Sequence, residues 1–324
     1  MFGLIPRVVW QRAVPASMID ERGRITLQHN CLLLERLDEP VGATERLPGG
    51  SPKLILIEAG TGDKLDEKSR DIFALDGRSV HQALHEVGCR AEDVGGAVVT
   101  HLHFDHAGGL TRLARPGETP DWTGPGSSFA GSRGEVGVRL TLPNAKVVTQ
   151  AREWHDALAG RSVMTRTYFA DHLEPLRERV MLVDSMPPFV PGLVPDRNDL
   201  PLGSLEQRET EVFPGVWVFR VPGHTWGQQA VRFVGPSGES VVFTPDVMPT
   251  AWHVGQAYSL AYDVEPYVSM VSRTWFLGEA ADRGWVLCLD HEPGNPFRRV
   301  RREASGRGWY ELVEAEVDGG LGGG

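Results

Sequence analysis

Cysteine is scarce in this chain: Cys31, Cys89 and Cys288 are the three among 324 residues. They lie far apart and lack the close pairing of a metal ribbon or redox motif, so they read as free thiols in a reducing compartment. Long apolar runs are missing too, and nothing approaches the roughly 20 residues that a membrane-crossing helix needs. The opening Met1–Trp10, interrupted by Pro6 and Arg7, does not read as a secretory leader. Positive charge is in deficit, with 33 Lys and Arg against 43 Asp and Glu for a formal net charge of -10. Without a basic stripe to neutralise phosphates, nucleic acid is a poor partner. The most basic run, Arg298-Arg299-Val300-Arg301-Arg302, reads as a solvated face. These deficits predict a soluble, cytoplasmic protein. At 41% hydrophobic content the chain can bury a full core, which predicts one domain over 1–317. The Gly-rich end, 318–324, has nothing to pack and is expected to be disordered.

Histidine is the residue that is concentrated rather than spread. Thr100–Gly109 reads Thr-His-Leu-His-Phe-Asp-His-Ala-Gly-Gly and puts His101, His103, Asp105 and His106 within six residues. The apolar run Gly96–Thr100 before it reads as a buried strand, so these side chains leave a sheet edge on a short loop. His101 and His103, two apart, project to one side of extended backbone. Asp105 and His106 are adjacent and diverge, which suits two metal ions better than one. Imidazole nitrogen and carboxylate oxygen are the ligands of zinc and other borderline divalent metals. Gly108 and Gly109 let the backbone pass close to the cluster. Further candidates follow later strand-like runs: His224 after Val216–Val221, Asp246 after Ser240–Phe243, and Asp290-His291-Glu292 after Trp285–Leu289.

The His-x-His-x-Asp-His motif with these downstream residues resembles the signature of the metallo-β-lactamase superfamily. The resemblance spans Glu58 to His291 and implies an α/β fold, a four-layer αβ/βα sandwich in which helices flank two mixed sheets. It implies His101, His103 and His224 on one metal, Asp105, His106 and His291 on the second, and Asp246 bridging both. The implied cofactors are two divalent ions, zinc first, with manganese, iron or cobalt accepted by the same ligands. Glu58 stands where the family usually carries Asp near the metals. The implied reaction is hydrolysis of an ester-like bond by a metal-bridging hydroxide, with Asp246 also passing the proton to the leaving group.

Several features prune the family. Diiron members usually carry Glu where this chain has His103, and they append a flavin domain. Two-zinc β-lactamases often use Cys where this chain offers Asp246, and nuclease branches need basic surfaces. Asp246-Val-Met-Pro-Thr-Ala-Trp-His253 and Ala261-Tyr262-Asp263 look like the quorum-quenching N-acyl homoserine lactone lactonases. So do Tyr168-Phe169 and Leu182-Val183-Asp184 ahead of Pro222-Gly223-His224. That branch implies a lactonase. A phosphotriesterase or arylesterase and a glyoxalase-type thioesterase stand as alternatives, and a non-catalytic metal-retaining binding protein stands as the contrasting class. His253, seven residues after Asp246, is a candidate proton donor. Tyr258 or Tyr262 is a candidate donor to the developing oxyanion, with plain core packing as the competing role. Related hydrolases are often dimers, so a homodimer stays open.

The remaining pattern predicts strands over 25–35, 53–58 and 144–150. Helices are expected over 66–75, 79–87, 151–159, 171–179 and 263–284. Arg36–Pro52, Arg115–Gly137 and Pro187–Leu202 read as loops, the second carrying Trp122 and Phe129 as an aromatic-bearing lid or an inert insertion. His81 and His85, four apart on the helix 79–87, have no third ligand and read as packing rather than as a metal site.

Overall fold

The computed structural model describes residues 1–37, 50–129, 131, 133–161, 167–304 and 309–317. The expected Gly-rich tail at 318–324 and most of the 36–52 loop lie outside the described residues. Contacts gather the chain into two compact units. A motif unit comprises Cys31–Val183 and Val212–Pro214, and a C-terminal unit comprises Met1–Asn30, Asp184–Glu211 and Gly215–Gly324. The three cysteines are free thiols. Among the described residues, no helix is long and apolar enough to cross a membrane.

In the motif unit, the strands Leu32–Glu35, Leu54–Ile57, Val94–Val98, Lys146–Gln150 and Val180–Val183 form one mixed sheet in that order. The first pair is antiparallel and the rest are parallel. Central parallel strands are covered on both faces, so Leu-Ile-Leu-Ile and Val-Gly-Gly-Ala-Val read as continuous apolar runs. Each of their large side chains contributes roughly 1.5–3 kcal/mol by burial. Gly96 is part of the packing, because a Cβ there would come within 2.5 Å of the Phe213 ring. The helix Val80–Glu86 starts at a capping box between Ser79 and Gln82 and buries Val80 and Leu84.

Two expectations fail here. The stretch 25–31 is not strand, which begins only at Leu32. Its backbone is spent elsewhere: Gln28 N–H donates to His291 O and Asn30 N–H to Asp290 O. The Pro- and Gly-laced segment 115–137 is not a plain loop either. It contributes Trp122–Pro125 and the start of Glu135–Leu140, which pair with each other, while the end of the latter pairs with Thr111–Leu113 to complete a small antiparallel sheet. Val136, Val138 and Leu140 do alternate, but only over six residues amid turn-forming chemistry.

The C-terminal unit holds the strands Tyr310–Glu314, Phe297–Arg302, Val286–Leu289, Ser240–Thr244, Gln229–Val234 and Val216–Arg220 of a second mixed sheet, in that order. The basic run expected as a solvated face is therefore a strand. Arg298 is buried and pairs with Glu292 at 2.8 Å, while Arg299, Arg301 and Arg302 face outward. The helix Pro266–Arg283 buries Val268, Val271, Trp275, Phe276 and Ala280 and ends at Gly284 in the left-handed region. It starts three residues later than expected, and Asp263 precedes it. The Pro-rich stretch 187–202 carries no regular element, as its composition predicts.

Candidate metal centre

Strand direction decides where the candidate ligands emerge. In the motif unit, Leu54–Ile57 and Val94–Val98 run parallel, so Glu58 and the His101–His106 segment leave the same sheet edge. In the C-terminal unit, Ser240–Thr244 is parallel to Val286–Leu289 and two antiparallel steps from Val216–Arg220. All three strands therefore point one way, and His224, Asp246 and His291 leave a single edge.

His101, His103 and His106 are buried to 0%, 3% and 1% exposure. His101 Nε2 lies 3.1 Å from His103 Nδ1, and the His101 and His106 ring centroids are 3.8 Å apart. Asp105 and His106 sit on the four-residue helix Phe104–Ala107, which follows His103 directly. Neighbouring groups orient the rings. Thr100 Oγ1 is 3.1 Å from His101 Nδ1, and the Glu58 carboxylate is 3.3 Å from His106 Nδ1. Glu58 also accepts the Thr100 N–H at 2.5 Å. Its backbone takes φ 64, a conformation that costs a non-glycine residue of order 1–3 kcal/mol and that clusters at functional sites. Glu153 accepts the Leu102 N–H at 3.0 Å and the Tyr168 O–H at 3.1 Å, so one buried carboxylate holds the loop between the two histidines. Burial and that carboxylate push the Tyr168 hydroxyl well above its ordinary range.

In the C-terminal unit, Asp246 lies 3.2 Å from His224 Nε2 and 3.4 Å from His291 Nε2. Asp246, Asp290 and His291 each offer a ligand atom, all within 4.8 Å of one another. His224 Nδ1 meets Asp263 at 2.9 Å, and His291 Nδ1 meets the Gln28 carbonyl oxygen at 2.8 Å. Each of these two imidazoles thus has one nitrogen oriented by an acceptor while the other meets Asp246, the pattern that fixes ring orientation around a metal. Within each unit, buried imidazole and carboxylate groups are the donor chemistry of a divalent cation.

A family model, the metallo-β-lactamase superfamily, matches residues 50–247. The chain belongs to the metallo-β-lactamase superfamily. No curated protein matches it. Solved structures share the metallo-β-lactamase fold at low identity. A probable metal-dependent hydrolase from Staphylococcus aureus aligns at TM-score 0.64 and 22% identity, covering 98% of this chain and 92% of its own. AidC, a dizinc quorum-quenching lactonase in complex with a homoserine product, aligns at TM-score 0.53 and 16% identity, with 82% and 76% coverage. An N-acyl homoserine lactone hydrolase with N-hexanoyl-L-homoserine at its catalytic metal centre aligns at 0.52 and 16%, with 86% and 89% coverage.

Sequence reasoning missed several residues of this metallo-β-lactamase site. Asp263 passed for an acidic residue suited to the helix dipole, but its carboxylate turns instead to His224 and to the Leu260 N–H. Glu153 gave no signal, since its contacts to Leu102 and Tyr168 arise only from folding. Lys64 is fully buried and donates to the carbonyl oxygens of Gly108 and Thr111, tying down the turn after His106. Arg273, also buried, donates to Val247 O at 2.6 Å and Gly255 O at 3.0 Å and holds the segment after Asp246.

The three additional catalytic candidates differ in surroundings. His253 is enclosed: it stacks on Phe2 at 4.6 Å and meets Thr250 Oγ1 at 2.8 Å. Burial, helped by the Arg273 charge, lowers it to about 3. Tyr258 packs edge-on against Phe2 at 5.5 Å. Tyr262 lies edge-on to the His224 ring at 5.7 Å, the better placed of the two tyrosines.

Two predictions arise from this geometry. Asp263→Asn is expected to weaken metal retention about 10- to 100-fold by loosening His224. Competition with a chromogenic chelator measures it, and an unchanged affinity contradicts the orienting role. The second concerns acid. A histidine buried neutral, with its folded pKa below the unfolded value of about 6.5, supports stability above that value. The support is lost progressively as pH falls from there towards the folded pKa, by up to about 1.4 kcal/mol per pH unit. His253, at about 3, and His172, also lowered by burial, both act in this direction. Urea midpoints are therefore expected to drop between pH 7 and pH 5, with a shallower drop in His253→Gln.

Proposed function

We propose that this chain is a dinuclear metal hydrolase that opens a lactone or similar ester carrying an apolar acyl group. His101, His103 and His224 would hold one ion, Asp105, His106 and His291 the other, with Asp246 between them. Two bound divalent cations supply Lewis acidity and a water ionised near neutral pH. The chain's own residues do the rest. Asp246 would receive a proton and pass it to the leaving oxygen. Tyr262, whose hydroxyl meets Met1 Sδ at 3.2 Å, would turn it to a carbonyl oxygen as negative charge develops there.

The observation that carries the acyl preference is aromatic. Phe73, Phe104, Phe129 and Phe169 pack together with centroids 4.8–5.2 Å apart between Phe104, Phe129 and Phe73, and Phe129 meets Phe169 at 5.2 Å. Phe104 is flanked by His103 and Asp105 in the chain, so this wall begins at the ligand segment itself. Phe129 supplies it from the segment expected as an aromatic-bearing lid. An apolar wall favours an acyl chain over a charged leaving group. The lactonases among the similar structures support the same reading.

Homoserine lactones of increasing chain length test it against paraoxon-like and thioester substrates. The expected outcome is the highest kcat/KM on a lactone, with efficiency rising with chain length and dependence on added zinc, manganese, iron or cobalt. A paraoxon-like preference would replace the lactonase reading with the phosphotriesterase one. Absence of metal-dependent turnover on any ester would favour a binding protein.

A further inference from the structure

Away from the histidine cluster, the motif unit carries a second polar depression of about 180 Å³. His81, Gln82, Arg112, Arg115, Thr141 and Asp63 line it. The two helix histidines of the sequence pattern thus separate in role, since His81 faces this cleft.

The lining is rich in donors that the fold leaves uncommitted. Thr141 is 3% exposed, and its hydroxyl has no hydrogen-bond partner among the described residues. Leaving such a group unpaired costs about 1–3 kcal/mol, which an acceptor in the cleft would recover. The Arg115 guanidinium and the His81 ring make no hydrogen bond or ion pair among the described residues. Gln82 commits its Oε1 to the Ser79 N–H at 2.8 Å, so its amide hydrogens remain to donate. Arg112 is held by both oxygens of Glu118, at 2.6 and 2.8 Å. Glu118 thereby balances Arg112, and its Oε2 also accepts the Arg115 backbone N–H at 2.8 Å, leaving the exposed Arg115 guanidinium to a ligand. Asp63 is the acidic member of the wall, and one of its oxygens accepts the Leu113 N–H at 3.1 Å. The basic groups do share one space: burial first, then the charges of Arg115 and Arg112, hold His81 below its ordinary range.

We propose that this cleft binds a phosphate group, free or as a small monoester, through Arg115, His81, Gln82 and the Thr141 hydroxyl. Donors from three separate segments, with His81 and Gln82 sharing the helix Val80–Glu86, suit a tetrahedral oxyanion, which accepts from several directions, better than a planar carboxylate. The second Asp63 oxygen would accept from a hydroxyl of an esterified ligand.

Calorimetric titration of the metal-loaded full chain with inorganic phosphate, and separately with glycerol 3-phosphate, tests the site. His103→Ala removes a candidate metal ligand, so phosphate that binds at the metals is lost in that variant and phosphate in the cleft is retained. The expected result is binding that survives His103→Ala and weakens at least about tenfold in Arg115→Met, an exposed position where folding is not at stake. Thr141→Val should weaken it about threefold, with Thr141→Ser restoring it. Tighter binding of glycerol 3-phosphate than of phosphate identifies the monoester, and equal binding identifies the free anion. No binding below about 10 mM, or binding abolished by His103→Ala and untouched by Arg115→Met, overturns the proposal. This test stands apart from the hydrolase reading, because it requires no turnover.

Discussion

His103→Ala is expected to reduce kcat/KM on the best ester substrate by at least about 1,000-fold, equivalent to about 4 kcal/mol of transition-state stabilisation. Three facts set that size. His103 is 3% exposed, its Nδ1 lies 3.1 Å from His101 Nε2, and its ring sits 5.1 Å from the Tyr168 ring. Truncation therefore removes an imidazole donor from a buried cluster. Tyr168 is committed to Glu153. The loss should appear in metal content as well as in rate, so elemental analysis of the purified variant belongs beside the kinetics. If the variant stays folded and turns over like the parent, His103 does not hold a catalytic ion and the proposed ligand set falls. Activity lost with metal content and fold intact would instead place His103 in direct contact with substrate.

Gly109→Ala is expected to be among the most damaging glycine-to-alanine changes at the described positions. A Cβ there would lie 2.0 Å from the Ala59 carbonyl oxygen and 3.2 Å from Val80 Cγ1. The oxygen belongs to backbone that is itself fixed, since Ala59 N–H donates to His106 O at 3.0 Å and Gly109 N–H to Gly60 O at 2.8 Å. Neither side can retreat without breaking these bonds. Overpacking of this kind costs about 3 kcal/mol or more, visible as a lower urea midpoint. The turn that must shift starts two residues after His106, so metal retention should fall with stability. Gly117→Ala is a useful control, because a Cβ there meets nothing within 4 Å even though its φ of 87 adds local strain. Equal stability of Gly109→Ala and the parent would mean that the two strand-end turns do not hold each other.

A buried lysine adds a milder expectation. Burial lowers Lys64 to about 8, below its ordinary 10.5. Between those values the unfolded chain binds the extra proton, so this group makes the fold more stable as pH rises through that window. Denaturation of Lys64→Met alongside the parent at pH 8 and pH 10 should show the parent gaining relative to the variant.

The central motif was legible because its information is local. His101, His103, Asp105 and His106 are spaced so tightly after an apolar strand that few other roles fit them. His224, Asp246 and His291 could be found because each follows a strand, and parallel strands end at one edge. Phe129 was legible as an aromatic near the site, but the two strands on either side of it were not. Asp263 and Glu153 were illegible for a different reason. A carboxylate that orients an imidazole or a loop needs only to arrive within about 3 Å, and no spacing rule links Asp263 to His224 or Glu153 to Leu102.

By itself the sequence determined the family, the sheet-edge origin of the metal-competent side chains and the lack of an apolar run long enough for a membrane-crossing helix. Those properties follow from residue type and short-range period, which chain connectivity preserves. Only the tertiary structure decided that His253 is sealed beneath Phe2, that Arg298 turns inward to Glu292, and that Lys64 and Arg273 clasp the turns beyond His106 and Asp246. Such outcomes depend on which distant backbone carbonyls and rings share a dry interior, where a charge must find a partner or lose its proton.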